Sequence, residues 1–265
     1  MLQIGFVCPV YNAQKLHNYT EAALLSFFAT TPNGVAIVVD DGSKSWSVDY
    51  AARLNALAEY FPNVKLHLIH HSKQKGLTHS WNSGLKFAYN LGVDYIIAGN
   101  NDILFTPLWY EGMLHALDNG YALAGPLSNA PGSTAKGLQD IKRYFKTYKL
   151  SDDEVSLTQL ASHLHRNRLG QVVESRINGF FQLAHRDSWN LGRYDEQNFY
   201  RPINTHTSLG KVNRTPLMTL NEDELQARWA RLKLKSAIVL SSFIFHYRSV
   251  SRGKVYAKGN WYRIS

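Results

Sequence analysis

The sequence predicts an α/β fold with a central, mostly parallel sheet and helices on both faces. Three observations predict it. Short apolar runs, Ile4 to Val7, Val35 to Val39 and Tyr95 to Ala98, read as strands. Each runs straight into a polar cluster: Cys8-Pro9-Val10-Tyr11-Asn12, Asp40-Asp41-Gly42-Ser43 and Asn100-Asn101-Asp102. Helical patterns lie between strand ends at a rhythm of about 30 residues, the size of a βαβ unit. In an open sheet of this kind ligands bind at the carboxyl ends of the strands, so these clusters describe one site.

Taken in order, the first strand is followed by an apolar helical pattern from Ala22 to Ala29, stopped by Thr31-Pro32-Asn33-Gly34. After the second strand, Val48 to Tyr60 reads as a helix halted by Pro62. Val64 to Ile69 is a third strand, leading into the polar His70 to Lys75 and then Gly76. Leu77 to Leu91 is helical, with Leu77, Trp81, Leu85 and Ala88 on one face. Pro107 opens a helix to Asn119, and Tyr121 to Gly125 is a fifth strand.

Beyond that point the rhythm breaks. Ser128 to Ser133 is a loop, and Gly137 to Leu150 is basic and aromatic. Ser151-Asp152-Asp153-Glu154 carries a capping residue and an acidic first turn, so a helix starts there. Ile177 to Ala184 reads as a strand running into a helical turn at Arg186 to Leu191. Arg201 to Pro216 has no periodicity, Glu222 to Lys233 is helical, and Ala237 to Phe245 is a strand ending at His246. We expect a nucleotide-binding half over residues 1–127, and residues 128–265 completing the site within one compact unit.

A chain of 265 residues with 45% hydrophobic content is long enough to bury a substantial core. No apolar stretch approaches the ~20 residues that span a bilayer. A strand beginning at Ile4 leads us to expect no signal peptide. The single cysteine, Cys8, excludes an internal disulfide and fits a reducing, cytoplasmic setting; beside a strand end it reads as a buried structural thiol. The net charge is +9, and the excess is strongest at the C-terminus. There Arg248, Arg252, Lys254, Lys258 and Arg263 alternate with Tyr247, Tyr256, Trp261 and Tyr262. Such a surface suits an anion: a nucleotide diphosphate, an anionic membrane met peripherally, or nucleic acid. The strand-end acids argue against a site built for polyanions, so no nucleic acid partner is expected.

Asp102, exposed at a strand end, suits a hard divalent cation, which prefers oxygen ligands and is often completed by substrate phosphates and water. Asp40 and Asp41 can accept hydrogen bonds from a base and a ribose. Neither Gly-x-Gly-x-x-Gly nor Gly-x-x-x-x-Gly-Lys-Ser/Thr occurs, so dinucleotide dehydrogenases and P-loop enzymes lack their phosphate cradle.

Together these clusters resemble the family-2 glycosyltransferases of GT-A fold. The likeness rests on Cys8-Pro9-Val10-Tyr11-Asn12, Val38-Val39-Asp40-Asp41-Gly42-Ser43, Gly76 with Asn82-Ser83-Gly84, and Asn100-Asn101-Asp102. It continues through Asn178-Gly179-Phe180-Phe181 with Arg186, which resembles the acceptor strand, and Arg193-Tyr194-Asp195-Glu196, similar to a Gly-x-Phe-Asp-Glu segment. Asn221-Glu222-Asp223-Glu224-Leu225 with Arg228 resembles the acidic catalytic motif. The resemblance implies a GT-A-like sheet and inverting transfer from a nucleotide diphosphate sugar, most often UDP-linked, to a glycan or glycoconjugate hydroxyl.

It also implies roles. Pro9, Tyr11 and Asp41 frame the base, Asp40 lies beside the ribose, and Asn101 belongs to the nucleotide set. Asp102 binds Mn2+ or Mg2+, His246 completes the metal shell or touches a phosphate, and Lys75 and His79 lie near the nucleotide. Arg248 and Arg252 are candidates for the diphosphate. Glu222 and Asp223 are both candidates for the base that takes the acceptor proton. Asn100 stands where many members carry aspartate, which lowers the charge at the metal. Two other classes stay open: a sugar-phosphate nucleotidyltransferase, and a non-catalytic basic binding module.

Overall fold

The computed structural model describes residues 2–11, 13–44, 46–132, 137–145, 151–194, 196, 221–248, 254–257 and 260–263. In chain order the main elements are β1 (Ile4–Val10), α1 (Ala13–Thr30), β2 (Gly34–Asp40), α2 (Val48–Glu59), β3 (Lys65–His70) and α3 (Leu77–Asn90). There follow β4 (Tyr95–Gly99), β5 (Ile103–Phe105), α4 (Trp109–Asp118), β6 (Leu123–Leu127) and α5 (Glu154–Arg168). The remainder are β7 (Val172–Glu174), β8 (Phe181–His185), α6 (Arg186–Leu191), α7 (Asn221–Arg231), β9 (Ser236–His246), β10 (Lys254–Ala257) and β11 (Asn260–Arg263).

Among the described residues, nine strands form one sheet in the order β3-β2-β1-β4-β8-β6-β9-β5, with β7 also on β9, and β10 and β11 form a separate hairpin. Strands β1 to β4 pair in parallel. Strand β8 runs antiparallel to both of its neighbours, β4 and β6. The parallel strands are apolar runs because both faces are covered. On one face Val7, Val35, Ile37 and Val39 meet Trp81 and Leu85 of α3, Leu160 of α5, Trp189 of α6 and Trp229 of α7. On the other, Phe6, Cys8, Ala36 and Val38 meet Phe27 of α1, Leu54 of α2 and Trp109 of α4. Fully burying side chains of this size stabilises the fold by about 1.5–3 kcal/mol each. Strand β3 ends the sheet and is the most polar, with Lys65 and His70 exposed, as suits an edge.

The mostly parallel sheet with helices on both faces matches the expected class. Three local features differ from the sequence reading. Helix α1 begins at Ala13, well before Ala22, because Leu16, Thr20 and Ala23 are already buried on its inner side. The segment from Ile177 to Phe180 is irregular and closes in a turn at Gly179 and Phe180, and the strand starts only at Phe181. Short β5 and β7 both pair with β9. A register shift in β9 has consequences for the site. Pro126 of β6 opposes Val239, but the next residue, Leu127, opposes Phe243. Such a bulge re-aims the strand beyond it. The last three residues of β9 pair with β5, setting His246 opposite Ile103 and so beside Asp102.

Candidate functional site

The rim at the carboxyl ends of β1, β2 and β3 is built by its acids. Asp41 N–H donates to Val10 O at 2.8 Å, tying the loop after β2 to β1. The Asp41 carboxylate accepts the N–H of Lys75 (2.8 Å), the N–H of Gly76 (2.8 Å to Oδ2) and the hydroxyl of Ser80 (3.1 Å). It thereby fixes the start of α3. Gly42 makes this closeness possible: at φ 72°, an added Cβ would lie 2.3 Å from the carbonyl carbon of Lys73. Asp40 is 0% exposed and accepts from the N–H of Ser43 (2.9 Å) and from its hydroxyl, while His70 Nδ1 lies 2.8 Å away. Asp40 therefore sits beneath the rim, and a direct ribose contact would require these bonds to open. Pro9 is buried within β1, and Tyr11 just beyond it is 42% exposed, leaving its ring available for stacking.

His71, the residue after β3, is buried and packs against the ring of His79 with centroids 5.0 Å apart. Burial first, then His79 and Lys75, hold its pKa below the ordinary histidine range, against the pull of Asp41. His79 Nδ1 in turn lies 2.8 Å from Glu196 Oε2. Asn82 ties the same segment down, donating to Tyr194 O at 2.8 Å and to Glu196 Oε1 at 2.9 Å. The Arg193–Glu196 segment is thus held on α3; Asp195 lies outside the described residues.

A second polar group forms where β4 ends. His246 Nε2 is 3.2 Å from Asp102 Oδ1 and 3.5 Å from Asn100 Nδ2, and both His246 and Asp102 are buried. His246 Nδ1 lies 2.9 Å from Ala130 O, and Phe180 stacks on the imidazole with centroids 4.9 Å apart and planes 13° apart. A carbonyl oxygen only accepts, so Nδ1 carries a proton and Nε2 faces the carboxylate. A nitrogen and a carboxylate oxygen converging in this way fit a divalent cation. Among the described residues no group of three or more His, Cys, Asp or Glu gathers to hold a metal. Two protein donors would leave the rest of such an ion's shell to a ligand's phosphates and water. Asn101 turns away: its amide nitrogen donates to Thr20 of α1 at 3.0 Å. Cys8 is buried, and its thiol pKa is pushed up by burial and by Asp102, so it stays an inert thiol.

A third group comes from α7 and the turn before β8. Gln226 pairs with both main-chain groups of Ile177, accepting its N–H at 2.8 Å and donating to its carbonyl at 2.7 Å. One helical turn earlier, Glu222 lies against Gly179, where a Cβ would come within 2.9 Å of the Glu222 carboxyl carbon. Asn221 donates to Thr78 of α3 at 3.3 Å. Asp223 points to Arg176 at 4.0 Å, and Glu224 forms a two-pronged bond with Arg228, both arms 3.0 Å. Of the three acids, Glu222 is the one held at the turn that carries Phe180, and through Phe180 it neighbours His246.

The three groups are linked by one chain of contacts. Asp41 holds the start of α3, Thr78 of α3 binds Asn221, Glu222 meets Gly179, and Phe180 meets His246 beside Asp102. At the far end of β9, Tyr247 donates its N–H to Asp102 O at 2.9 Å. Arg248 follows at φ 51°, the left-handed region that side-chain-bearing residues adopt at a cost. Arg252 lies outside the described residues.

The model of glycosyl transferase family 2 matches residues 6–165, more than half of the chain. The chain belongs to glycosyl transferase family 2. No curated protein sequence matches it. Among solved structures, a mannosyltransferase from Pyrobaculum calidifontis, PcManGT, in complex with GDP-Man and Mn2+, superposes with a TM-score of 0.55 at 12% identity, over 92% of this chain and 56% of that one. S. aureus TarS 1-349 in complex with UDP superposes with a TM-score of 0.53 at 10% identity, over 92% of this chain and 60% of that one. The family-2 chain thus spans less than two thirds of either structure, and at such identities the likeness is one of fold, the GT-A fold. No helix among its described residues is long and apolar enough to cross a membrane.

Several supports of this arrangement escape sequence reading. Gln226 carried one available signal, its place one helical turn after Glu222. Thr78 and Asn129 carried none, because each sits in an ordinary polar stretch and acts on a residue remote in sequence.

Proposed function

We propose that the protein is an inverting glycosyltransferase that moves a sugar from a nucleotide diphosphate sugar, with a UDP-sugar the first choice, to a hydroxyl of a glycan or glycoconjugate. The observation that carries this reading is the 3.2 Å approach of His246 to Asp102 beside the Phe180 ring, on the turn that seats Glu222. Residues 1–127 form the donor half and residues 128–265 the acceptor and catalytic half.

In this reading Pro9 and Tyr11 line the base. Asp41 Oδ2 accepts only Gly76 N–H among the bonds above, so a lone pair is left for a base N–H. Asp102 and His246 would hold Mn2+ or Mg2+, and a divalent ion bound there would supply charge stabilisation to the departing diphosphate. Arg248 adds positive charge on the same side. The Mn2+ and GDP-Man of PcManGT and the UDP of TarS support a nucleotide donor and a cation for this chain. Glu222 takes the proton from the acceptor hydroxyl as that oxygen attacks the anomeric carbon from the side opposite the diphosphate. It lies in the acidic N-terminal turn of α7. Asp223 and Glu224 have cationic partners and serve the helix.

Calorimetry tests the proposal. UDP should bind the wild-type protein, and Mn2+ should tighten that binding at least tenfold. Absence of UDP binding with metal present would reject the donor assignment.

A further inference from the structure

We propose that Asn129 is the positioning residue of His246, a role that rests on the metal reading above and extends it to the loop after β6. Strand β6 ends at Leu127, where it still pairs with Phe243 of β9. Beyond that point β9 continues to His246 without a β6 backbone partner. The buried side chain of Asn129 fills the gap. Its Nδ2 donates to His246 O at 3.0 Å, and its Oδ1 accepts His246 N–H at 2.8 Å. One amide thus satisfies both main-chain groups of one residue, as a neighbouring strand would.

The next residue completes the arrangement. Ala130 O accepts from His246 Nδ1 at 2.9 Å, so three hydrogen bonds from two consecutive residues place the backbone and the ring of His246. Phe180 covers one face of the ring and removes its freedom to rotate. Nδ1 being the protonated nitrogen, Nε2 is left as the one that turns towards Asp102 and Asn100. The hydrogen bond on one imidazole nitrogen sets which nitrogen can bind a metal and where it points. Truncating Asn129 leaves Ala130 O in the sequence but frees the backbone of His246 to drift from it.

Two measurements on Asn129→Ala and Asn129→Asp decide the matter. The first is the 15N spectrum of His246 in metal-free protein, assigned with His246→Gln and recorded about two pH units above the ordinary histidine pKa of about 6.5. The wild type should show the Nδ1–H tautomer, and Asn129→Ala a mixture of both. The second is calorimetry with UDP, with and without Mn2+. Asn129→Ala should weaken Mn2+ binding in the presence of UDP by about 10–100-fold while UDP alone binds as in wild type. Asn129→Asp, which keeps the acceptor for His246 N–H, should recover part of that loss. An unchanged tautomer with unchanged Mn2+ affinity overturns the proposal, as does an equal loss of metal-free UDP binding, which would mean a collapsed cleft. If the wild type itself shows no Mn2+ effect, the metal reading fails, and the tautomer alone then decides the role of Asn129.

Discussion

The two sides of the strand-end rim use carboxylates in opposite ways. At β2 the acids organise the protein. Asp41 gathers three donors from the start of α3, and Asp40 closes its own turn with Ser43 and His70. Around β9 and α7 the protein organises the acids and their partners instead. His246 is gripped by Asn129 and Ala130, and the turn under Glu222 is gripped by Gln226. An acid that accepts backbone N–H groups is part of the fold's own hydrogen-bond accounting, and its loss leaves buried donors unpaired. Asp102, by contrast, faces one histidine nitrogen at 3.2 Å, so its neutralisation strands fewer donors. Substitutions at the first side should therefore register in stability, and at the second in rate.

The sharpest test is Glu222→Gln. We expect kcat to fall by about 10²–10⁴-fold, the usual worth of a general base, with UDP binding and melting temperature close to wild type. Asp223→Asn, whose partner is Arg176 at a half-exposed distance of 4.0 Å, should retain near-normal kcat. If the two variants exchange these outcomes, the base is Asp223, and the seating of Glu222 against Gly179 serves packing alone. Next comes Asp102→Asn. Transfer should drop by about 10²–10³-fold as leaving-group stabilisation weakens. The fold should survive, because Asp102 contributes its main-chain carbonyl to Tyr247 with either side chain. Wild-type turnover at saturating Mn2+ would remove Asp102 from the metal.

How much of this was legible in the sequence depends on how locally each feature is encoded. The strands ending at Asp40-Asp41 and Asn100-Asn101-Asp102 could be read because parallel strands covered on both faces leave unbroken apolar runs. The position of His246 at the end of its strand was also readable, since Ala237 to Phe245 is apolar apart from Ser241 and Ser242. What brings His246 to Asp102 was not. The bulge between Val239 and Phe243 leaves no mark in Leu240-Ser241-Ser242, and the receiving strand, Ile103–Phe105, is three residues long. The difference between Asp40 and Asp41 was also hidden. Two adjacent acids in one turn look alike in a sequence; the fold buries both, tying Asp40 to its own turn and Asp41 to the start of α3. Asn129 looks like any loop asparagine until β9 is laid beside it.

Stability should respond most on the other side of the comparison. Asp41→Ala strands the N–H groups of Lys75 and Gly76 and the hydroxyl of the fully buried Ser80. Each unpaired buried group costs about 1–3 kcal/mol, less where water can reach it, so denaturant unfolding should show a loss of at least about 2 kcal/mol. A loss as small as that of Glu222→Gln would erase the distinction between the two sides.

The smallest effect lies at His71, beside Asp41. Burial and the nearby His79 and Lys75 hold the pKa of this ring below the ordinary histidine range, so the unfolded chain takes up the proton more readily than the folded one. The stability due to the neutral ring is then fully present above the ordinary value of about 6.5 and declines as the pH falls below it. Melting curves of wild type and His71→Gln, recorded from about pH 7.5 down to about 5, should diverge in slope, with the variant the less sensitive to acid. Parallel slopes would mean that the 3.7 Å approach of Asp41 Oδ1 to His71 Nδ1 offsets the burial, and that this edge of the strand-end rim is insensitive to pH in that range.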